Sequence, residues 1–174
     1  MTSYLNNNKI FLVGFMASGK STVGPLLASK LNMKFYDTDL EIQKKLDMSI
    51  KDIFEQKGEC FFRTKEKETL RYLSEKEEPS VISCGGGTVL NKENIAIIKK
   101  NGIGIFLNEK SETVLKRVKD PQSRPLLKNI FDAKEIEKLI NSRMPYYKQA
   151  TTITIETDNL TPNEVVELIY QRIK

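Results

Sequence analysis

The sequence predicts an α/β fold in which a parallel sheet of five strands is covered by helices on both faces. Short apolar runs alternate with longer stretches of helical periodicity along the chain, the pattern of strands joined by helical crossovers. A glycine-rich loop ending in Lys-Ser joins the first apolar run to the first helical stretch. The 174 residues suffice for one domain with a substantial core, and no repeat, low-complexity segment or long linker divides them.

The elements follow in order. Lys9–Val13 and residues 34–36, 80–84, 102–107 and 151–155 are short and apolar enough to be buried strands. Between them, helical patterns cover Lys20–Leu31 and residues 40–46, 49–57, 59–74, 92–100 and 111–118. A further helix over 133–149 is expected to be interrupted by Pro145, and Pro162–Ile173 closes the chain with proline in its first turn. Residues 119–132 are irregular and basic, and Pro121 and Pro125 block a continuous helix. A loop of that length in a small domain reads as a lid.

Composition narrows the chemistry. With 39% hydrophobic and 29% charged residues the chain is ordinary for a soluble globular protein. No apolar run approaches membrane-spanning length, and residues 1–9 are polar, unlike a signal peptide. Cys60 and Cys84 have no zinc-type spacing and read as reduced thiols of a cytoplasmic protein. There is no histidine, which excludes a Ser-His-Asp triad, a His-ligated metal and an imidazole base, and leaves carboxylates as proton acceptors. The net charge of +5 calls for an anionic partner. Because the basic residues are interleaved with acidic ones, as over 66–71, small anions suit them better than nucleic acid.

The strongest local signal is Gly14-Phe15-Met16-Ala17-Ser18-Gly19-Lys20-Ser21, between a strand and a helix. In that context it is a phosphate-binding loop, whose backbone amides and helix N-terminus face phosphate oxygens. Lys20 reaches the β- and γ-phosphates of a nucleotide, and the Ser21 hydroxyl suits Mg²⁺. Asp37 and Asp39 follow the second strand, where a parallel sheet presents its ligand edge. They fit a metal-side and a substrate-side carboxylate. A capping box of Thr38 and Glu41, with Asp39 favoured by the helix dipole, is the structural alternative and leaves Asp37 unexplained.

Other candidates are ambiguous alone. Arg63 and Glu66, three apart on one helix, form either a surface ion pair or a carboxylate clamp held by its neighbour. Gly85-Gly86-Gly87 is either a flexible turn or a place where backbone approaches a ligand. The third strand has no Asp at its end, so Asp37 is the better metal-side candidate. Arg117, Arg124 and Arg143 each read more simply as solvated surface arginines. Arg124 lies in the lid-like segment, from which closure brings it onto a transferring phosphate. Arg143 precedes Met144-Pro145-Tyr146-Tyr147, a helix break that turns it inward.

Together these pieces resemble the shikimate kinase family over nearly the whole chain. In order they are the Gly14-to-Ser21 loop, Phe35-Tyr36-Asp37-Thr38-Asp39, Phe62-Arg63 with Glu66, the three glycines, Arg124-Pro125-Leu126-Leu127, and Arg143 with Pro145-Tyr146-Tyr147. The loop alone indicates only nucleotide binding; the full set is far more specific. The resemblance implies a P-loop kinase fold with strand order 2-3-1-4-5, a single domain over 1–174, a lid near 119–132 and a substrate-binding helical region near 38–66.

It further implies ATP-dependent conversion of shikimate to shikimate 3-phosphate, assisted by Mg²⁺, in a cytoplasmic monomer of aromatic amino-acid biosynthesis. Lys20, Asp39 and Arg124 are the implied catalytic residues. Gly14 through Thr22, with Arg117 and Arg124, would bind ATP, Arg117 packing on adenine. Asp39, Phe54, Phe62, Arg63, Gly85, Gly86, Gly87 and Arg143 would bind shikimate, the two arginines clamping its carboxylate. Ser21 and Asp37 would face the metal.

One departure stands out. The family loop usually has glycine where this chain has Ala17, which is strained if its φ is positive. The rival readings are another small-metabolite kinase such as a gluconate kinase, a nucleoside monophosphate kinase, and a non-catalytic nucleotide-binding regulator. The arginine pair and the triple glycine speak against the first, and no base-reading pocket is evident for the second.

Overall fold

A computed structural model describes residues 8–117 and 132–174. Its strands are β1 (Lys9–Val13), β2 (Lys34–Asp37), β3 (Ser80–Ser83), β4 (Ile103–Asn108) and β5 (Ile153–Glu156). They form one parallel sheet in the order β2-β3-β1-β4-β5, as the resemblance implies. The helices are α1 (Lys20–Leu31), α2 (Thr38–Leu46), α3 (Ile50–Glu75), α4 (Lys92–Asn101), α5 (Ser111–Arg117), α6 (Ala133–Ala150) and α7 (Pro162–Ile173).

Strand β1 is buried along its whole length, and its alternate side chains build two cores. Ile10 and Leu12 join Val23, Leu27 and Ala28 of α1 and Val165, Val166 and Ile169 of α7. Phe11 and Val13 face the other way, toward Leu70 and Leu73 of α3, Ile95 and Ile98 of α4, and Tyr147 of α6. A continuous apolar strand is thus the signature of a sheet covered on both faces.

Registration brings the site together. Ser83 pairs with Leu12 on one side and with Asp37 on the other. The loop after β1, the start of α2 and the glycines after β3 therefore leave the sheet at one carboxyl edge. That edge lies at the switch between the two directions of chain winding, where open α/β sheets bind ligands.

Several local expectations need correction. Helix α2 starts at Thr38 and its cap is Asp37, whose side chain accepts from the amides of Asp39 and Leu40. The capping box of Thr38 and Glu41 does not form, because the Thr38 hydroxyl accepts instead from the Gly85 amide at 3.0 Å. The helices expected at 49–57 and 59–74, by contrast, are borne out as the two arms of α3, divided at Gly58, whose φ of 81° and ψ of 166° are not helical. Helix α6 continues through Pro145. The missing proline donor is tolerated because Ile136, Ile140, Arg143, Tyr147 and Ala150 make one continuous buried face.

Candidate active site

The phosphate-binding loop folds around its own lysine. Lys20 is buried, and its Nζ donates to the carbonyls of Gly14 and Phe15 at 2.9 and 2.7 Å and approaches Ser18 Oγ at 3.2 Å. Helix α1 starts from Gly19, at φ 86°, without a side-chain cap. Residues Gly19 to Val23 line a cavity of about 550 Å³ beside Met16, Ala17, Ser18, Asp37, Asp39 and Arg117. Uncapped first-turn amides and a buried ammonium make this the natural place for phosphate groups. Ala17 has φ 60°, so the strain foreseen for alanine here is present.

Asp37 does two jobs. Its Oδ1 caps α2, and its Oδ2 accepts from the Ser21 hydroxyl at 2.9 Å. Two hard oxygen groups thus meet at the cavity floor, which suits Mg²⁺, a cation that needs only one or two protein ligands when phosphates and water complete its shell. Among the described residues no group of three or more acidic or thiol side chains offers a complete cage.

A smaller recess adjoins the cavity and shares Met16, Asp39, Gly85 and Gly86 with it. Its remaining wall is Ile50, Phe54, Phe62, Arg63, Glu66 and Gly87. The Phe54 and Phe62 rings pack 4.8 Å apart, and the Arg63 guanidinium lies 5.4 Å from the Phe62 ring. Glycine is needed at two points of this wall by close approach. A Cβ on Gly85 would stand 2.6 Å from Glu66 Oε1 and 2.8 Å from Asp39 Oδ1, and one on Gly87 would stand 2.6 Å from Arg63 Nη1.

The surface ion-pair reading of Arg63 and Glu66 fails. Glu66 is 1% exposed, and its two oxygens accept from Arg63 Nη1 at 2.9 Å and from the Thr88 hydroxyl at 2.7 Å. Burial works against the charge on Arg63, and Glu66 and Glu59 outweigh it, holding its pKa above the ordinary value. The outer edge of the guanidinium donates to Glu59 Oε1 at 3.2 and 3.0 Å, on a half-exposed side chain.

Arg143 is buried with its guanidinium 5.5 Å from the Phe15 ring, and its Nη1 has no hydrogen-bond partner among the described residues. It is turned inward by helical phase, seven residues after Ile136 on the buried face of α6, and not by a helix break. Tyr147 on the same face donates to the Gly86 carbonyl at 2.8 Å. Burial pushes the Tyr147 phenol up to about 12, against the opposing charges of Arg143 and Arg63. Arg63 lies against Gly87, and Arg143 shares the buried face of the Tyr147 that bonds Gly86, although Arg143 does not line the recess itself.

Arg117, the last described residue of α5, lies beside the loop, with Nη1 3.4 Å from the Ala17 carbonyl and 2.5 Å from Glu109 Oε2. Arg124 and all but the last residue of the expected lid lie outside the described residues. Sequence reasoning missed the far wall of the cavity, formed by Thr157, Leu160, Pro162 and Val165. Its available signal was position, since these residues follow β5 at the same sheet edge. Glu109 was also missed, and nothing in its spacing marks it.

A family model described as shikimate kinase matches residues 16–174. A shikimate kinase of Sulfurihydrogenibium sp. is 47% identical over 165 residues, covering 95% of this chain and 97% of that one. One from Caldicellulosiruptor saccharolyticus is 48% identical over 160 residues, covering 92% of each. Among solved structures, shikimate kinase from Acinetobacter baumannii in complex with shikimate superposes with TM-score 0.92 at 34% identity, over 98% of this chain and 94% of that one. A deoxyadenosine kinase from M. mycoides, at 18% identity, 95% and 98% coverage and TM-score 0.60, shares the fold alone. With the loop, the paired aspartates and the arginine-lined recess at one sheet edge, these likenesses show that the chain belongs to the shikimate kinase family.

Proposed function

We propose that this chain transfers the γ-phosphoryl group of ATP to the 3-hydroxyl of shikimate, releasing ADP and shikimate 3-phosphate. The observation that carries the proposal is the shared wall. A cavity built for phosphates opens onto a recess built for a small acid, and Asp39, Gly85 and Gly86 belong to both.

The residues divide the work. The backbone from Gly14 to Thr22, through Phe15, Met16, Ala17, Ser18 and Gly19, cradles the phosphates, and the Lys20 ammonium leaves its loop carbonyls for the γ-phosphate. Arg117 stacks on the adenine. Asp39, at the junction, holds the ring hydroxyl and accepts its proton as oxygen attacks phosphorus. Arg63 and Arg143 bind the shikimate carboxylate. The acid displaces half-exposed Glu59 from the fork of Arg63 while buried Glu66 keeps the guanidinium in place. Phe54 and Phe62 pack on the ring, and Gly85, Gly86 and Gly87 let it approach the backbone. Ser21 and Asp37 would hold Mg²⁺, which when bound supplies positive charge to the β- and γ-phosphates. Arg124, in the segment 119–132, closes over the transferring phosphate as a lid residue. The region 38–66 forms the substrate-binding part of a single domain, and the chain acts as a cytoplasmic monomer on two small anions, without nucleic acid. No helix among the described residues is long and apolar enough to cross a membrane.

The test is ADP release with shikimate against gluconate, quinate and nucleoside monophosphates. Activity confined to shikimate supports the proposal, and preference for another acceptor overturns it. Lys20→Ala should lower turnover by at least ~10²-fold in a folded protein, by removing fixed charge from the developing phosphoryl charge. Near-normal turnover in that variant would remove the loop from the chemistry.

A further inference from the structure

Arg117, on the wall of the large cavity, is paired with a carboxylate that has no part in the roles above. Glu109 lies in the connection between β4 and α5, and its side chain is fully buried. An acidic side chain is rarely buried unless something specific holds it there. Here Glu109 Oε2 is 2.5 Å from Arg117 Nη1, while its Oε1 has no hydrogen-bond partner among the described residues. Burial raises the Glu109 pKa, the Arg117 charge is the largest influence against that shift and Thr157 adds a smaller one, so the ionised carboxylate depends chiefly on this arginine. Thr157 gives its hydroxyl proton to the Asn108 carbonyl, and Asp158 adds a like charge.

The dependence runs the other way too. Arg117 is 39% exposed at the last described position of its helix. A free arginine there has many rotamers, and few of them keep a flat guanidinium at the cavity mouth. The buried carboxylate selects one, with Nη1 also directed at the Ala17 carbonyl. Arg117 then faces Thr157, Leu160 and Pro162 across the space open to a nucleotide base.

We propose that Glu109 is a positioning residue for nucleotide binding, acting through Arg117 by holding its guanidinium flat against the purine ring. The assignment rests on the reading of the large cavity as an ATP site. A purine gains from a cation over its π-face only when the guanidinium is already oriented, because ordering it on binding cancels part of the attraction. Fixing Arg117 in advance tightens the nucleotide without touching it, and leaves the recess for the acid unchanged.

The test uses Glu109→Gln, which keeps shape and one acceptor but removes the charge, alone and combined with Arg117→Ala. ADP affinity is read by calorimetry without shikimate, and steady-state kinetics are read with each substrate varied. Glu109→Gln should weaken ADP and raise the KM for ATP by about 5–10-fold, the loss of a charge-assisted contact. The kcat and the shikimate KM should stay within about twofold. In the Arg117→Ala background the same change should add nothing, since the residue it acts through is gone. Unchanged ADP affinity, a loss that persists in that background, equal losses for both substrates, or failure of this isosteric variant to fold would each overturn the proposal. Because ADP binding needs no phosphoryl transfer, a parent chain inactive on shikimate would defeat the proposed reaction and leave this measurement standing.

Discussion

Ala17 carries a left-handed backbone, at φ 60°, in the middle of the phosphate cradle. A Cβ there crowds the following carbonyl by roughly 1–2 kcal/mol, offset in part by the lower unfolded-chain entropy of alanine than glycine. Ala17→Gly should therefore stabilise the protein by up to about 1 kcal/mol. A melting curve shifted downward in that variant would mean that the conformation carries no strain. If Arg63 clamps the substrate carboxylate as proposed, its fork should matter more than its charge, because lysine cannot make two parallel hydrogen bonds to a carboxylate. Arg63→Lys should raise the shikimate KM by a loss of about 1–3 kcal/mol and leave the KM for ATP nearly unchanged. An unaltered shikimate KM in a folded variant would remove Arg63 from the recess. Both residues were visible in the sequence, but their settings were not. The spacing of Arg63 and Glu66 fits a surface pair as well as a buried one, and only packing against Thr88 and the glycines puts Glu66 out of water.

Elements were legible where side-chain periodicity decides them, and less so where a single polar group chooses between partners. Strand β1 and helices α1 and α7 match their expected bounds. The start of α2 does not, because Thr38 is drawn to the Gly85 amide across the sheet, a contact no local pattern records. In α6 the proline signal loses to a buried face that ends in Tyr147 and Ala150. That face makes a pH prediction. An unfolded tyrosine ionises near 10, whereas Tyr147 is held at about 12. Between these values the unfolded chain binds fewer protons than the folded one, so stability falls as pH rises. The Tyr147 contribution is intact below about pH 10 and lost toward pH 12, a difference of about 2–3 kcal/mol. Buried Cys84, whose pKa is also raised, adds loss of the same sign, and Lys9, lowered by burial, opposes it. The clean measurement is therefore a difference. Tyr147→Phe should cost about 1 kcal/mol at pH 8 through the hydrogen bond to Gly86. Its deficit against the parent should shrink by pH 11. A deficit constant across that range would mean that the phenol ionises freely in the fold.

Across the whole molecule, the strand order β2-β3-β1-β4-β5 sets three loops at one edge, and the aspartate ending β2 ties two of them together. Asp37 Oδ2 accepts from Ser21 at the nucleotide loop, while Oδ1 holds the first amides of the helix that carries Asp39. The alternation of strands and helices made this edge legible in the sequence, but the double engagement of Asp37 was not, since each contact crosses between elements. If a nucleotide's cation rests on Ser21 and Asp37 as proposed, its binding would also act on the position of Asp39, which borders the smaller recess. The two substrates should accordingly bind with positive coupling. ADP with Mg²⁺ should tighten shikimate by a factor equivalent to about 1–3 kcal/mol, and shikimate should tighten ADP by the same factor, as linkage requires. Asp37→Asn keeps an acceptor for the helix amides but sets an NH₂ group where Ser21 donates, so it should reduce the coupling while preserving shikimate affinity in the absence of nucleotide. Calorimetric titration of each ligand with and without the other, in parent and variant, measures both factors. Affinities that are independent in the parent would show that the two halves of the site share a wall without sharing a conformation.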